Sequence, residues 1–231
     1  LSKKLITFYH TILLSIFFLI PIRIINGLSF EYISQIKLAR KKRTSQLLQD
    51  IFVLYETGFK REGYFVEFGA TNGFDLSNTY MLEKEYSWNG ILAEPAKIWQ
   101  TELNKNRSCI IENRCVWIDS KLMLEFTDNT DWAATRRQNS NTYTVETISL
   151  NDMLEVHKAP RIIDYLSIDT EGSEYQILSN FNFSKYKIKI ITCEHNYTSE
   201  RIKIYKLLIA NGYKRKYSWL SKWDDWYVLH E

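Results

Sequence analysis

The stretch Tyr64-Phe65-Val66-Glu67-Phe68-Gly69-Ala70-Thr71-Asn72-Gly73 constrains this chain more than any other. An apolar run carries an acid near its end, breaks at a glycine and leads into a helix-forming segment, residues 75–86. A strand that feeds a glycine turn and then a helix aims backbone N–H groups at a ligand in open α/β sheets. The spacing is Glu-x-Gly-x-x-x-Gly, not the Gly-x-Gly-x-x-Gly of a dinucleotide site, so an NAD-dependent oxidoreductase would lack its fingerprint. Glycines after strands also serve as plain turn residues, so the motif takes its meaning from the rest of the chain.

Acidic strand tips recur. Residues 89–95 read as a second buried strand with Glu94-Pro95 at its end, 25 residues after Gly69. A carboxylate there accepts hydrogen bonds from ribose hydroxyls in nucleotide-binding sheets. Residues 96–105 suit a helix, and 109–111 with 114–117 a bent third strand. Residues 122–126 and 142–150 alternate as a strand pair. Between them, the polar segment 127–141 suits a lid, or equally a loop without a role. A short helix, 151–157, precedes a fourth strand, Ile162–Ile168, which ends in Asp169, Glu171 and Glu174. Crowded carboxylates repel one another. Glu171 and Glu174 also suit helix capping, which leaves Asp169 as the acid facing the cleft. A fifth strand, 188–193, ends in Glu194-His195-Asn196. His195 has a carboxyl and an amide beside it, although a lone histidine is commonly structural. A helix over 199–210 closes at Asn211-Gly212, and residues 213–217 with 226–229 form an edge hairpin. Upstream, residues 45–55 read as a helix whose Gln46, Gln49 and Asp50 face either a ligand or solvent.

A length of 231 residues suits one domain with an appendage. The net charge of +3, dispersed except over residues 37–43, implies no nucleic-acid groove. Cys109, Cys115 and Cys193 give neither a disulfide framework nor zinc spacing, which fits a reducing compartment. Residues 5–22 carry no Asp, Glu, Lys or Arg, the lower limit for a membrane span of about 27 Å. A membrane anchor is the expectation, with an amphipathic or buried helix as the competing reading. No small-x-small cleavage site follows, and the basic residues downstream place the domain in the cytoplasm. The chain starts with Leu, which leaves its true start open.

The segments SQLLQDIFVLY, GYFVEFGATNGFDLSNTYMLEKEYSWNGILAEP, TISLNDML, IDYLSIDTEGSEYQIL, IKIITCEHN and DDWYV follow one another over residues 45 to 229. In this the chain resembles the FkbM family of S-adenosylmethionine-dependent methyltransferases. The resemblance implies a class I methyltransferase fold: an α/β, Rossmann-like three-layer sandwich around a mostly parallel seven-stranded sheet with an antiparallel last strand. It would occupy residues 63–231, after a hydrophobic N-terminal helix (1–30) and a helical lead-in (31–62). Glu67, Gly69, Ala70, Thr71, Asn72 and Gly73 would cradle the methionine part of S-adenosylmethionine. Glu94 would hold the ribose, and Val116 would line the adenine. Asn78 and Pro95 join the cofactor-binding set, and Asp169 would sit nearest the sulfonium methyl. Strand-tip carboxylates favour that cation and disfavour a pyrophosphate. Methyl transfer to a hydroxyl needs a base, His195 first and Asp169 second. Asp169, Glu194 and Asn196 also resemble the Mg²⁺ ligands of metal-dependent O-methyltransferases. The expected acceptor is a sugar, glycan or related metabolite at the inner membrane face. The alternative is a non-catalytic, membrane-tethered interaction protein that keeps the fold.

Overall fold

The computed structural model describes residues 30–128 and 142–230. The chain divides into two compact units, residues 1–43 and 44–231. Within the first, α1 (Phe30–Ala39) is the described element. The expected span at residues 5–22 lies outside the described residues, and no helix among those described is long and apolar enough to cross a membrane.

The second unit opens on a tether. The Asp50 carboxylate accepts bonds from the backbone N–H groups of Thr44, Ser45 and Ile51 and from the Ser45 hydroxyl at 2.5 Å. Leu48 takes a left-handed φ of 74°, so the helix expected from residue 45 is shortened to α2 (Gln49–Glu56). Then come β1 (Tyr64–Phe68), α3 (Tyr80–Tyr86), β2 (Asn89–Ala93), α4 (Gln100–Asn106) and β3 (Ile110–Glu112). A small three-stranded sheet follows, made of β4 (Cys115–Trp117), β5 (Met123–Thr127) and β6 (Thr142–Ser149). After it run α5 (Leu150–Val156), β7 (Ile162–Ile168), α6 (Glu174–Ser179), β8 (Lys187–Glu194), α7 (Glu200–Ala210), β9 (Tyr213–Lys216) and β10 (Asp224–Leu229).

The main sheet has seven strands in the order β3-β2-β1-β7-β8-β10-β9. Pairings from β3 through β8 are parallel, while β10 runs antiparallel to both β8 and β9. This is the class I methyltransferase fold, with its antiparallel last strand. Parallel strands need crossovers, and the helices between them cover both faces of the sheet. Period-two alternation assigns those faces different chemistry. Val66, Phe68, Leu166, Ile168, Ile191, Cys193 and Tyr227 enter one apolar cluster with Met153, Leu154, Ile177, Leu178, Ile204 and Leu208 from α5, α6 and α7. The opposite face carries Glu67, Ser167, Thr192 and Trp226, and there Phe52 of α2 stacks on Trp226 with centroids 4.8 Å apart.

Two expectations differ from what the structure shows. The helix foreseen over residues 75–86 begins only at Tyr80, because residues 75–79 wrap a buried carboxylate instead. The bent third strand divides: Ile110–Glu112 joins the main sheet, whereas Cys115–Trp117 pairs in parallel with Thr147–Ser149.

Candidate active site

The glycine turn after β1 is shaped by backbone geometry. Gly69 has φ +72°, and a Cβ there would lie 2.1 Å from the Asp169 carbonyl oxygen. The turn after β1 therefore passes the tip of β7 at a distance that only glycine permits. Thr71 also has a positive φ, 46°. Gly73 N donates to the Ala70 carbonyl, and Asn72 Oδ1 accepts from Phe74 N and Asp75 N, which closes the turn.

Glu67 is buried beneath this turn. It accepts bonds from Ser77 Oγ, Asn78 N (2.7 Å) and Thr79 Oγ1 (2.5 Å). The Asn78 amide then donates to Ser167 Oγ. Arg107 is fully buried beside them. Its Nε donates to Glu83 at 2.6 Å, and its remaining nitrogens donate to the Gly73 carbonyl, Ser77 Oγ and Thr79 Oγ1. Glu67 Oε2 lies 3.6 Å from Arg107. Sequence reasoning missed Arg107. Its signal would have been a basic residue just past a helix end, and sequence alone cannot distinguish that from a solvated side chain.

Glu94 spans the turns after β1 and β2, accepting Thr71 N at 2.7 Å and Ala96 N at 2.8 Å. Burial pushes its carboxyl up to about 7, with a contribution from Asp128 and Asp169. Pro95 follows it, and the Pro95 carbonyl approaches the Tyr143 hydroxyl at 3.4 Å. That hydroxyl donates to Asp128 at 2.5 Å and accepts from Lys97 N. The first residues of the expected lid are thereby fastened to the β2 tip. The remainder, residues 129–141, lies outside the described residues.

Glu112 ends β3. Burial raises its carboxyl, but bonds from Arg114 and His157 outweigh that and bring it down to about 2. Val116, expected beside an adenine, is 3% exposed and belongs to the apolar cluster.

At the other strand tips the carboxylates crowd. Asp169, Glu171 and Glu194 present oxygens that all lie within 4.8 Å of one another. Asp169 is open to solvent and Glu194 is buried. Among the described residues no donor meets Glu194 Oε2. Surrounding protein and the neighbouring acids push both Asp169 and Glu194 up. Asp224, opposite Glu194 on β10, accepts from Gln49 Nε2 at 2.7 Å, and burial pushes its carboxyl up to about 7. Glu174 turns away to accept Thr170 N and Gly172 N. The Asn196 side-chain amide donates to Glu171 Oε2 at 3.4 Å, beside these acids.

His195 is not brought to Asp169. Strand alternation sends it to the Cys193 side of the sheet, where the ring is buried. Its Nδ1 accepts from Tyr197 N, and its Nε2 lies 3.8 Å from Asp225, which also holds Arg201 and Arg215. Burial lowers its pKa.

The methyltransferase FkbM domain matches residues 67–223, more than half of the chain. The chain belongs to the FkbM methyltransferase family. It is an S-adenosylmethionine-dependent methyltransferase. Solved structures with a similar fold include the METTL16 MTase domain, at 10% identity and TM-score 0.46, with 79% of this chain and 66% of that one covered. The precorrin-6y C5,15-methyltransferase of Geobacter metallireducens GS-15 gives 9%, 0.41, 72% and 71%. The human methyltransferase 10 domain containing protein gives 13%, 0.41, 78% and 78%. No curated protein matches in sequence. The residues of this methyltransferase fit its cofactor: the acids gathered at the strand tips beside the Gly69 turn suit a sulfonium cation.

Proposed function

We propose that this FkbM methyltransferase methylates a hydroxyl oxygen of a sugar, glycan precursor or related metabolite. The observation that carries the reading is Asp169, whose solvent-accessible carboxylate lies beside the Gly69 turn and the buried Glu194 carboxyl. S-adenosylmethionine supplies an electrophilic methyl group on a cationic sulfur. In this reading the backbone of Gly69, Ala70, Thr71, Asn72 and Gly73 shapes the methionine subsite, and Glu67 with Asn78 keeps the turn rigid from below. Glu94 and Pro95 border the ribose subsite. Val116 supports the adenine side from within the core. Asp169 orients the acceptor hydroxyl and takes its proton at a carboxylate oxygen, since its raised pKa brings it closer to the working range of a base. Positioning by these fixed groups supplies much of the rate.

His195 ranks below Asp169 as the base, because its contacts lie on the other sheet face. A divalent cation at Asp169, Glu194 and Asn196 belongs to the same reading, with Glu171 as the better-placed third oxygen donor. Full activity after EDTA treatment sinks that part. A membrane anchor at residues 5–22 is supported by their apolar run, and a cytoplasmic active domain by the basic residues that follow. Full-length protein that stays soluble without detergent overturns the anchor.

The deciding experiment offers labelled methyl donor to a panel of glycan and lipid-linked acceptors. Label on a hydroxyl is expected, and label on nitrogen or carbon overturns the reading. If isothermal titration with S-adenosylmethionine gives no heat, the chain is instead a tethered interaction protein.

A further inference from the structure

Helix α7 and strand β9 combine two properties that the methyltransferase chemistry does not use. On α7, Ile202, Tyr205 and Ile209 are 61%, 38% and 41% exposed. At 100° per residue they fall within about 60° of arc, centred about 110° around the helix from the buried Ile204 and Leu208. An apolar stripe therefore faces solvent beside the face of the helix that is already packed. Basic residues flank it. Arg201, Lys203, Lys206, Lys214, Arg215 and Lys216 face one acid, Glu200, a net +5 within residues 200–216. The whole chain carries only +3, so the remainder is net negative.

Part of this charge is internally satisfied. Arg201 and Arg215 share Asp225, and Lys203 meets Glu200. Lys206 and Lys214 are exposed and meet no carboxylate among the described residues. Lysines on an edge strand also block strand addition, which explains those of β9 but not the apolar stripe on α7. Arg215 lies over the Tyr205 ring at 4.7 Å, and Arg201, Ile202, Tyr205 and Arg215 line a hollow of about 320 Å³. Apolar and aromatic side chains bordered by Lys and Arg match the interface of an anionic bilayer.

We propose that this face docks on an anionic lipid surface, with Ile202, Tyr205 and Ile209 entering the headgroup region. Charge complementarity selects the occupant: a second copy of the chain would set the basic flanks against each other.

The test uses full-length protein with an environment-sensitive dye on Ile209→Cys. The native thiols label slowly, because burial pushes Cys109 up to about 12 and Cys115 up to about 11, and Cys193 is buried. The readout is local, so adhesion through residues 5–22 does not mimic it, and activity plays no part in it. Phosphatidylglycerol vesicles are expected to blue-shift the dye at 209 but not one on Met123→Cys, while phosphatidylcholine vesicles leave both unchanged. Neutralising Lys203, Lys206 and Lys214 to Gln is expected to weaken the response about a hundredfold, at roughly fivefold per charge removed. An unshifted dye at 209 on phosphatidylglycerol vesicles that still sediment the protein overturns the proposal. So does an equal shift on neutral vesicles, or a shift that follows protein concentration or a soluble polyanion without lipid.

Discussion

The two halves of the sheet's C-terminal edge handle buried charge in opposite ways. Beneath β1 and β2, every acid has its donors: Glu67 has Ser77, Asn78 and Thr79, and Glu94 has Thr71 N and Ala96 N. At β7, β8 and β10, Asp169, Glu194 and Asp224 crowd together, and among the described residues Glu194 Oε2 has no donor. The first half is preorganised and holds its shape without a ligand. The second carries unfavourable charge that a cation, an acceptor hydroxyl or a proton would relieve. Binding and chemistry are thus divided between a finished wall and an unfinished one.

The contrast breaks first at Gly69. Gly69→Val is expected to abolish S-adenosylmethionine binding in isothermal titration while circular dichroism keeps most of the signal, since the Cβ would meet the Asp169 carbonyl at 2.1 Å. Wild-type affinity would dismiss the turn as a binding element.

Arg107→Lys tests how far the finished wall depends on one guanidinium. Lys keeps the charge but cannot reach Glu83, Gly73, Ser77 and Thr79 together. A loss of about 3 kcal/mol in urea unfolding is expected, within the range for breaking a buried pair. A loss under about 1 kcal/mol would mean that the wall stands without it.

Asp224→Asn probes the crowded half. The folded pKa of Asp224 is raised to about 7 from 3.8. The folded state therefore binds more protons between these values, and stability falls as pH rises through that window. The variant is expected to match wild type near pH 4 and to exceed it by on the order of 2 kcal/mol at pH 8, read from urea midpoints. No gain at pH 8 would remove the charge frustration.

Glu94 gives a binding counterpart. Because its carboxyl is raised to about 7, affinity for the cationic cofactor should climb between pH 6 and 8, with proton release visible as buffer-dependent heat. Glu94→Gln should flatten that rise, and an unchanged profile would separate Glu94 from the cofactor.

The smallest effect belongs to His195→Asn. It should lower kcat by less than about tenfold, below the range for a general base. A thousandfold loss would return the ring to the chemistry.

Much of this was legible in the chain itself. Apolar runs ending in Glu67, Glu94, Asp169 and Glu194 specify strands and their tips, because a buried strand shows as an apolar run and its solvent-facing end as a polar break. Gly69 was legible as a turn, although not its contact with Asp169. The helix starts misread at residues 45 and 75 were taken by side chains that cap Asp50 and Glu67, contacts that propensity does not encode. Only the tertiary structure decided which strand-tip residues share a face. His195 and Glu194 are neighbours in sequence, yet a one-residue step turns a side chain through the sheet, so Glu194 joins Asp169 while His195 joins Asp225.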